Sequence, residues 1–217
     1  MGDLNGKGFC RKFNACVQPA QLIRGSKSNI MPHHGMPATQ RYLLALTFPP
    51  PVAEQVRVLQ REIKAGFGPS RSLGKPVHLT LVPPFLAPVA FETDDHLDRV
   101  ARQFKPFELQ LEGIGSFPNP KSPVLYVQVM PQPELARLYK AIKSTWKTAD
   151  YPGVRWMAGF HPHVTIAYRD VKPAVYARLW PVFKHRSFSA LCLHRSFTLF
   201  RWANQQWEPV REFGFGK

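Results

Sequence analysis

Short apolar runs alternating with apolar stripes at helical spacing organise the chain from Arg41 onward. Tyr42–Phe48 (YLLALTF) reads as a buried strand, ended by Pro49, Pro50 and Pro51. Val52, Val56, Leu59 and Ile63 then recur three and four apart, which predicts an amphipathic helix with Gly66 as its C-cap. A loop of Gly, Pro, Ser and Lys leads to a second strand, Val77–Val82 (VHLTLV). Thr93 is placed to cap a helix carrying Leu97, Val100, Ala101 and Phe104. Phe107–Ile114 (FELQLEGI) alternates as a third strand.

The same order starts again near Pro123. Val124–Met130 (VLYVQVM) is a strand, and Pro131 and Pro133 break it and open a helix. That helix has Leu135, Leu138, Tyr139, Ile142 and Trp146 as its stripe. A Gly/aromatic loop leads to the strand His163–Ala167 (HVTIA). Pro173 opens a short helix with Val175 and Leu179. Phe188–Trp202 alternates as one longer strand, with Trp207–Phe213 pairing on it as a hairpin. Two units, about 41–115 and 123–202, thus repeat at a shift of about 81–85 residues. Leu43 maps to Leu125, His78 to His163, and Phe107 to Phe188. Residues 1–40 show no sustained period and read as a poorly structured N-terminal extension, with Met31 and Met36 as alternative starts. Residues 41–217 read as a single domain.

Composition narrows the class. An apolar fraction of 44% supports a packed core and excludes wholesale disorder. No apolar stretch approaches the ~18 residues of a membrane span. The first residues lack the apolar core of a secretory signal, and Gly6 stands where a myristoylation signal wants Ser or Thr. Cys10, Cys16 and Cys192 are odd in number and lack metal-ligand spacing, so a reducing, cytoplasmic setting and no structural zinc are expected. The net charge of +15 points to a polyanion, with RNA or DNA first. Residues 1–40 hold five Lys/Arg against one Asp, which leaves +11 on the rest, so the charge is not confined to a basic tail.

The chemistry lies at matched positions of the two units. His78-Leu79-Thr80-Leu81 and His163-Val164-Thr165-Ile166 are both H-x-T-h, with h apolar. Side chains alternate on a strand, so each motif offers an imidazole and a hydroxyl to one face and two apolar anchors to the other. With eight His in the chain, roughly 0.35 chance matches to H-x-[ST]-h are expected, yet the chain holds two more. His185-Arg186-Ser187-Phe188 and His194-Arg195-Ser196-Phe197 put Arg at x, where a strand with a buried rear face does not accept it readily. They also lie nine residues apart rather than at equivalent points of two repeats. Only the pair at 78 and 163 is matched by the duplication.

These motifs, with RYLLALTFPP, KPVHLTLVPPF, PFELQLEGIGSF, FHPHVTIAYRD and FTLFRWANQQWEPVREF in that order, resemble the two-histidine (2H) phosphoesterase superfamily. Within it the chain is most similar to the LigT-type 2′-5′ RNA ligases, or RNA 2′,3′-cyclic phosphodiesterases. The resemblance implies an α+β, bilobal, pseudo-twofold fold, with two antiparallel sheets facing a central cleft and helices on the outside. It makes His78 and His163 the catalytic pair and Thr80 and Thr165 the phosphate-binding hydroxyls. One departure stands out: many members carry Arg where this chain has Tyr168, and Arg169 follows, an offset that changes face on a strand.

The resemblance implies a hydrolase of RNA 2′,3′-cyclic phosphate ends, giving 2′-phosphates, with reverse ATP-independent 2′-5′ ligation. One His acts as general base and the other as general acid, and no cofactor or metal takes part. Arg169, Tyr168 and Phe85 are the further substrate-binding candidates. Lys75 and Arg155 join Arg169 as phosphate contacts, and Phe117, Trp156 and Phe160 join Phe85 for base stacking. The expected partner is RNA or a nucleotide with a 2′,3′-cyclic phosphate, and the expected state is a monomer without membrane association. A small cyclic nucleotide or ADP-ribose cyclic phosphate as substrate is one alternative, and an RNA-binding module without catalysis is another.

Overall fold

Pro49, Pro50 and Pro51 do two jobs at once: they stop the first strand and set the first helical turn, where missing N–H groups cost nothing. The computed structural model describes residues 39–149, 151, 153, 154, 156 and 159–217, which belong to the unit Pro37–Lys217. Its strands are β1 (Thr39–Thr47), β2 (His78–Pro88), β3 (Phe107–Phe117), β4 (Val124–Val129), β5 (His163–Ala167), β6 (Ser189–His194), β7 (Ser196–Ala203) and β8 (Gln206–Gly214). The α-helices are α1 (Pro50–Phe67), α2 (His96–Ala101), α3 (Pro133–Thr148) and α4 (Pro173–Phe183), with a 3-10 turn at Val89–Thr93. Most of the expected extension 1–40 lies outside the described residues, and its last two, Thr39 and Gln40, already open β1.

All strands join one antiparallel sheet in the order β6-β3-β4-β5-β2-β1-β7-β8. The two expected sheets are its halves, β6-β3-β4-β5 and β2-β1-β7-β8. A single register pair, Leu79↔Val164, links them at β2 and β5. Val56, Leu59 and Ile63 of α1 and Leu135, Leu138 and Ile142 of α3 are buried in one core with Leu44, Leu79, Val127 and Val164 of the sheet. A small second cluster, Leu43, Ala45 and Phe200 with Trp207 against it, lies apart from that core.

Four expectations change. The α1 C-cap is Gly68 rather than Gly66, because the left-handed φ of 96° falls there. Thr93 closes the 3-10 turn, its Oγ1 donating to the Ala90 carbonyl, and the N–H of His96 donates to Asp94 Oδ1 at the start of α2. The expected strand Phe188–Trp202 is two strands. Ala190, Cys192 and His194 face inward on β6 and Phe197 and Leu199 on β7, so the alternation slips by one at Arg195. β6 pairs with β3 and β7 with β1, at opposite ends of the sheet. The strand equivalent to β3 is therefore β7, and Phe107 does not map to Phe188.

Candidate functional site

Leu79 and Val164 face each other across the central strand pair, both fully buried. Alternation then turns His78, Thr80, His163 and Thr165 to the opposite face, where all four are partly exposed. Continuing the antiparallel register sets Thr80 across from His163 and His78 across from Thr165. The two H-x-T motifs are thus brought together as the sequence predicts.

The sheet splays beyond that single pair, and side chains replace the missing ladder. Gln60 Nε2 of α1 donates to the Thr165 carbonyl at 3.3 Å. Ser72 Oγ donates to the carbonyl of Ile166 at 2.6 Å, beside the register shift between Leu125 and Tyr126. These bonds satisfy buried carbonyls that a closed sheet would have paired. They leave a cavity of about 250 Å³ lined by His78, Thr80, Thr165, Gln60, Ser72, Lys75, Tyr168 and Arg169, with Leu43, Pro76 and Pro84. His163 is not part of its wall.

The two imidazoles are tied alike. His78 Nδ1 lies 2.6 Å from the Pro76 carbonyl, and His163 Nδ1 lies 2.8 Å from the His161 carbonyl. A carbonyl only accepts, so Nδ1 carries the proton in each ring and Nε2 is left free for chemistry. Burial is the main cause that lowers both pKa values below the ordinary 6.5. The carbonyl bonds oppose it, and a neighbouring His (His163 for His78, His161 for His163) adds to it. Their surroundings differ. His163 packs against Phe117 at 5.1 Å and Tyr126 at 5.2 Å between ring centroids, and Tyr126 Oη is hydrogen-bonded to His161 Nε2 at 3.1 Å.

The one-residue offset at Tyr168 and Arg169 has a local answer. β5 ends at Ala167, and Arg169 has a left-handed φ of 63°. The Asp170 N–H donates to the Tyr168 carbonyl at 2.8 Å, which closes a three-residue γ-turn around Arg169. Both side chains therefore line the cavity despite adjacent positions. Asp170 Oδ2 pins the turn by accepting from the N–H groups of Ser70 and Arg71. A strained Arg held by its neighbours points to a role at this place.

The other candidates separate. Lys75 reaches the cavity, its pKa lowered by burial and by Arg169 and Arg71. Phe85 is a correction: it is 4% exposed and packs in the core against Tyr42, Phe91 and Trp146, so it cannot stack on a base. Phe160 stacks on Tyr139 at 3.8 Å and Trp156 sits edge-on to Tyr139, neither lining this cavity. Arg155 lies outside the described residues. Of the two decoys, His194 is buried between Phe48 and Phe107, while His185 is exposed beside Arg186, which pairs with Glu62.

Gln60, Ser72 and Tyr126 escaped the sequence reading. Gln60 had a signal, a polar residue in register with the apolar stripe of α1. Among the described residues, no group of three His, Cys, Asp or Glu side chains is arranged to hold a metal ion. None of the described helices is long and apolar enough to cross a membrane.

Comparison with known proteins bears on the family and the fold. Residues 48–206 match the family model of the 2′-5′ RNA ligase superfamily. An RNA 2′,3′-cyclic phosphodiesterase from Archaeoglobus fulgidus is 30% identical over 131 residues, 58% of this chain and 70% of that protein. E. coli LigT in its apo form superposes with a TM-score of 0.55 at 23% identity, covering 83% of this chain and 99% of LigT. A structure from Thermus thermophilus gives 0.53 at 24% identity, over 80% of this chain and 97% of that one.

Proposed function

The chain belongs to the 2′-5′ RNA ligase superfamily, and within it we propose a metal-independent phosphodiesterase that hydrolyses 2′,3′-cyclic phosphate ends of RNA to 2′-phosphates. The observation that carries this reading is the matched tethering of His78 and His163. Each Nδ1–H is held by a backbone carbonyl two residues upstream, and each Nε2 is left unoccupied on the same face of the sheet. The activity named for the archaeal relative supports the same reading.

A neutral imidazole takes a proton from water through Nε2, and the water oxygen attacks phosphorus. The bond from phosphorus to the 3′ oxygen breaks, and the second imidazole, protonated, delivers its Nε2 proton to that oxygen. Two groups of the same type on either side of phosphorus suit this exchange, because each ends in the state in which the other began. Thr80 and Thr165 donate to the non-bridging oxygens as charge builds on them. Arg169 and Lys75 neutralise the same charge, and Tyr168 closes the cavity beside them. Burial keeps the imidazoles neutral when the site is empty, and an anionic diester bound beside them favours the charged form that the acid requires.

With a 5′-hydroxyl in place of water as nucleophile on the same cyclic phosphate, the bond from phosphorus to the 3′ oxygen again breaks and a 2′-5′ bond forms without ATP, by the same groups. One chain supplies both motifs, so residues 41–217 act as one catalytic domain and a monomer suffices.

The test is hydrolysis of a 2′,3′-cyclic mononucleotide and of an oligonucleotide ending in the same group, in EDTA, beside His78→Ala and His163→Ala. Turnover to a 2′-phosphate, lost in both variants, is expected. Abolition by the chelator, or full activity in either variant, overturns the mechanism.

A further inference from the structure

A second groove of about 450 Å³ adjoins the catalytic cavity and shares Lys75, Pro84, Tyr168 and Arg169 with it. Its remaining wall belongs to β1, the loop after α1, and the β7–β8 hairpin. Arg41 and Arg71 line it with Trp202 and Trp207.

Three observations give this groove a chemistry. The first is charge. Arg41, Arg71, Lys75 and Arg169 converge on it, no carboxylate lines it, and none of the four forms an ion pair among the described residues. The same hairpin carries two other arginines that are neutralised, Arg201 by Glu92 and Arg211 by Asp95 and Asp98. Of these six cations, the four that line the groove are the ones without an ion pair among the described residues.

The second is the aromatic floor. Trp202 and Trp207 are cross-strand partners with ring centroids 5.2 Å apart, and both are partly exposed. Trp207 rests on the Leu43, Ala45 and Phe200 cluster. Lys75 Nζ lies 4.3 Å from the centre of the Trp202 ring, and the Arg41 guanidinium 5.9 Å from that of Trp207. Cations over indole rings that stay partly exposed make a surface suited to bases joined by phosphates.

The third is rigidity. Asn204 and Gln205 at the hairpin tip both have positive φ, 48° and 62°, as a two-residue I′ turn requires. Lys75 Nζ also donates to the Gln205 carbonyl at 3.2 Å, which ties the tip to the loop before β2.

We propose that this groove holds the nucleotide on the 5′ side of the cyclic-phosphate end, with its base against the Trp202–Trp207 pair and its phosphate between Arg41 and Arg71. The preferred substrate is then the 3′ end of a single-stranded oligoribonucleotide rather than a free mononucleotide. The inference rests on the catalytic reading for its activity readout only.

The experiment compares kcat/KM for a 2′,3′-cyclic mononucleotide and for a hexaribonucleotide with the same end. It uses the wild type, the double variant Arg41→Ala/Arg71→Ala, Trp202→Leu, and Lys140→Ala on the exposed side of α3 as a charge control. Trp202→Leu keeps apolar bulk if the double variant proves poorly folded. A preference for the hexamer of about tenfold or more is expected in wild type and in Lys140→Ala, collapsing in the groove variants. Mononucleotide turnover should stay within about twofold in all of them. Equal rates on the two substrates in wild type overturn the proposal, as does a preference that survives the groove variants. If wild type turns over neither substrate, the catalytic reading fails by itself. Binding of the labelled hexamer then decides the groove: weakening of about tenfold in the groove variants supports it, and unchanged binding overturns it.

Discussion

Gly115 on β3 lies directly beneath the ring of its cross-strand partner Tyr126. A β-carbon at position 115 would stand 2.4 Å from Tyr126 Cε2, closer than any tolerated contact. The missing side chain lets Tyr126 lie over β3 while it packs on His163 and bonds His161. Gly115→Ala should push the ring off this position and cost about 1–3 kcal/mol, the usual range for overpacking. Activity should fall with it, because the wall beside His163 moves. Thermal unfolding together with kcat on a 2′,3′-cyclic nucleotide checks this. A variant with wild-type stability and kcat would show that Tyr126 relaxes without consequence.

The pH dependence of kcat/KM follows from the two imidazoles. Burial lowers both below the ordinary 6.5 in the free protein. The proposed mechanism needs one ring neutral and one protonated, so the profile should be bell-shaped. The acid limb reports protonation of the ring acting as base, and its midpoint should lie below 6.5. A midpoint above that value would mean that a neighbouring anion, not burial, governs the site.

Much of this arrangement is legible in the sequence because it is local. The run HVTIA carries its own alternation and its own anchors, and β5 spans the same residues as the expected strand. What escaped depends on partners that no window contains. β6 and β7 are contiguous in sequence, yet they pair with strands at opposite ends of the sheet, and only the slip of alternation at Arg195 hints at the break. Phe85 sits on β2 near the motif, but its face is decided by Tyr42 opposite and Trp146 beneath. The face of Arg169 depends on its own left-handed φ, held by the neighbouring Asp170, whose carboxylate is fixed by Ser70 and Arg71 from across the fold.

His194 links stability to pH. Its ring is 3% exposed, Nε2 has no partner among the described residues, and burial pushes its pKa down to about 4 from an ordinary 6.5. The unfolded chain therefore binds a proton that the native state refuses between those values. The contribution is present in full above pH 6.5 and lost as the pH falls through 4, about 3 kcal/mol in all. His194→Leu should flatten that part of the curve, leaving the share of His78 and His163. Urea unfolding of both proteins at several values between pH 4 and 7 measures the difference. Parallel curves would mean that His194 takes up its proton without leaving the core.

Asp170 ties the turn that carries Arg169 to the loop after α1. One of its carboxylate oxygens accepts from the N–H groups of Ser70 and Arg71, while its own N–H closes the γ-turn that sets Arg169. The other oxygen, Oδ1, has no partner among the described residues. Asp170→Ala removes the acceptor and frees the turn, so Arg169 leaves the cavity wall. A misplaced group of this kind costs about 10²-fold in kcat/KM. Asp170→Asn keeps an oxygen for the two N–H groups and removes a negative charge from beside the cavity proposed to take the substrate's anion. It should therefore retain at least wild-type kcat/KM. Kinetics of both variants, with circular dichroism to confirm folding, separate the two roles of the side chain. If Asn and Ala lose activity alike, the carboxylate acts through its charge and the tether is incidental. If Ala alone fails, the γ-turn is what keeps Arg169 at the site.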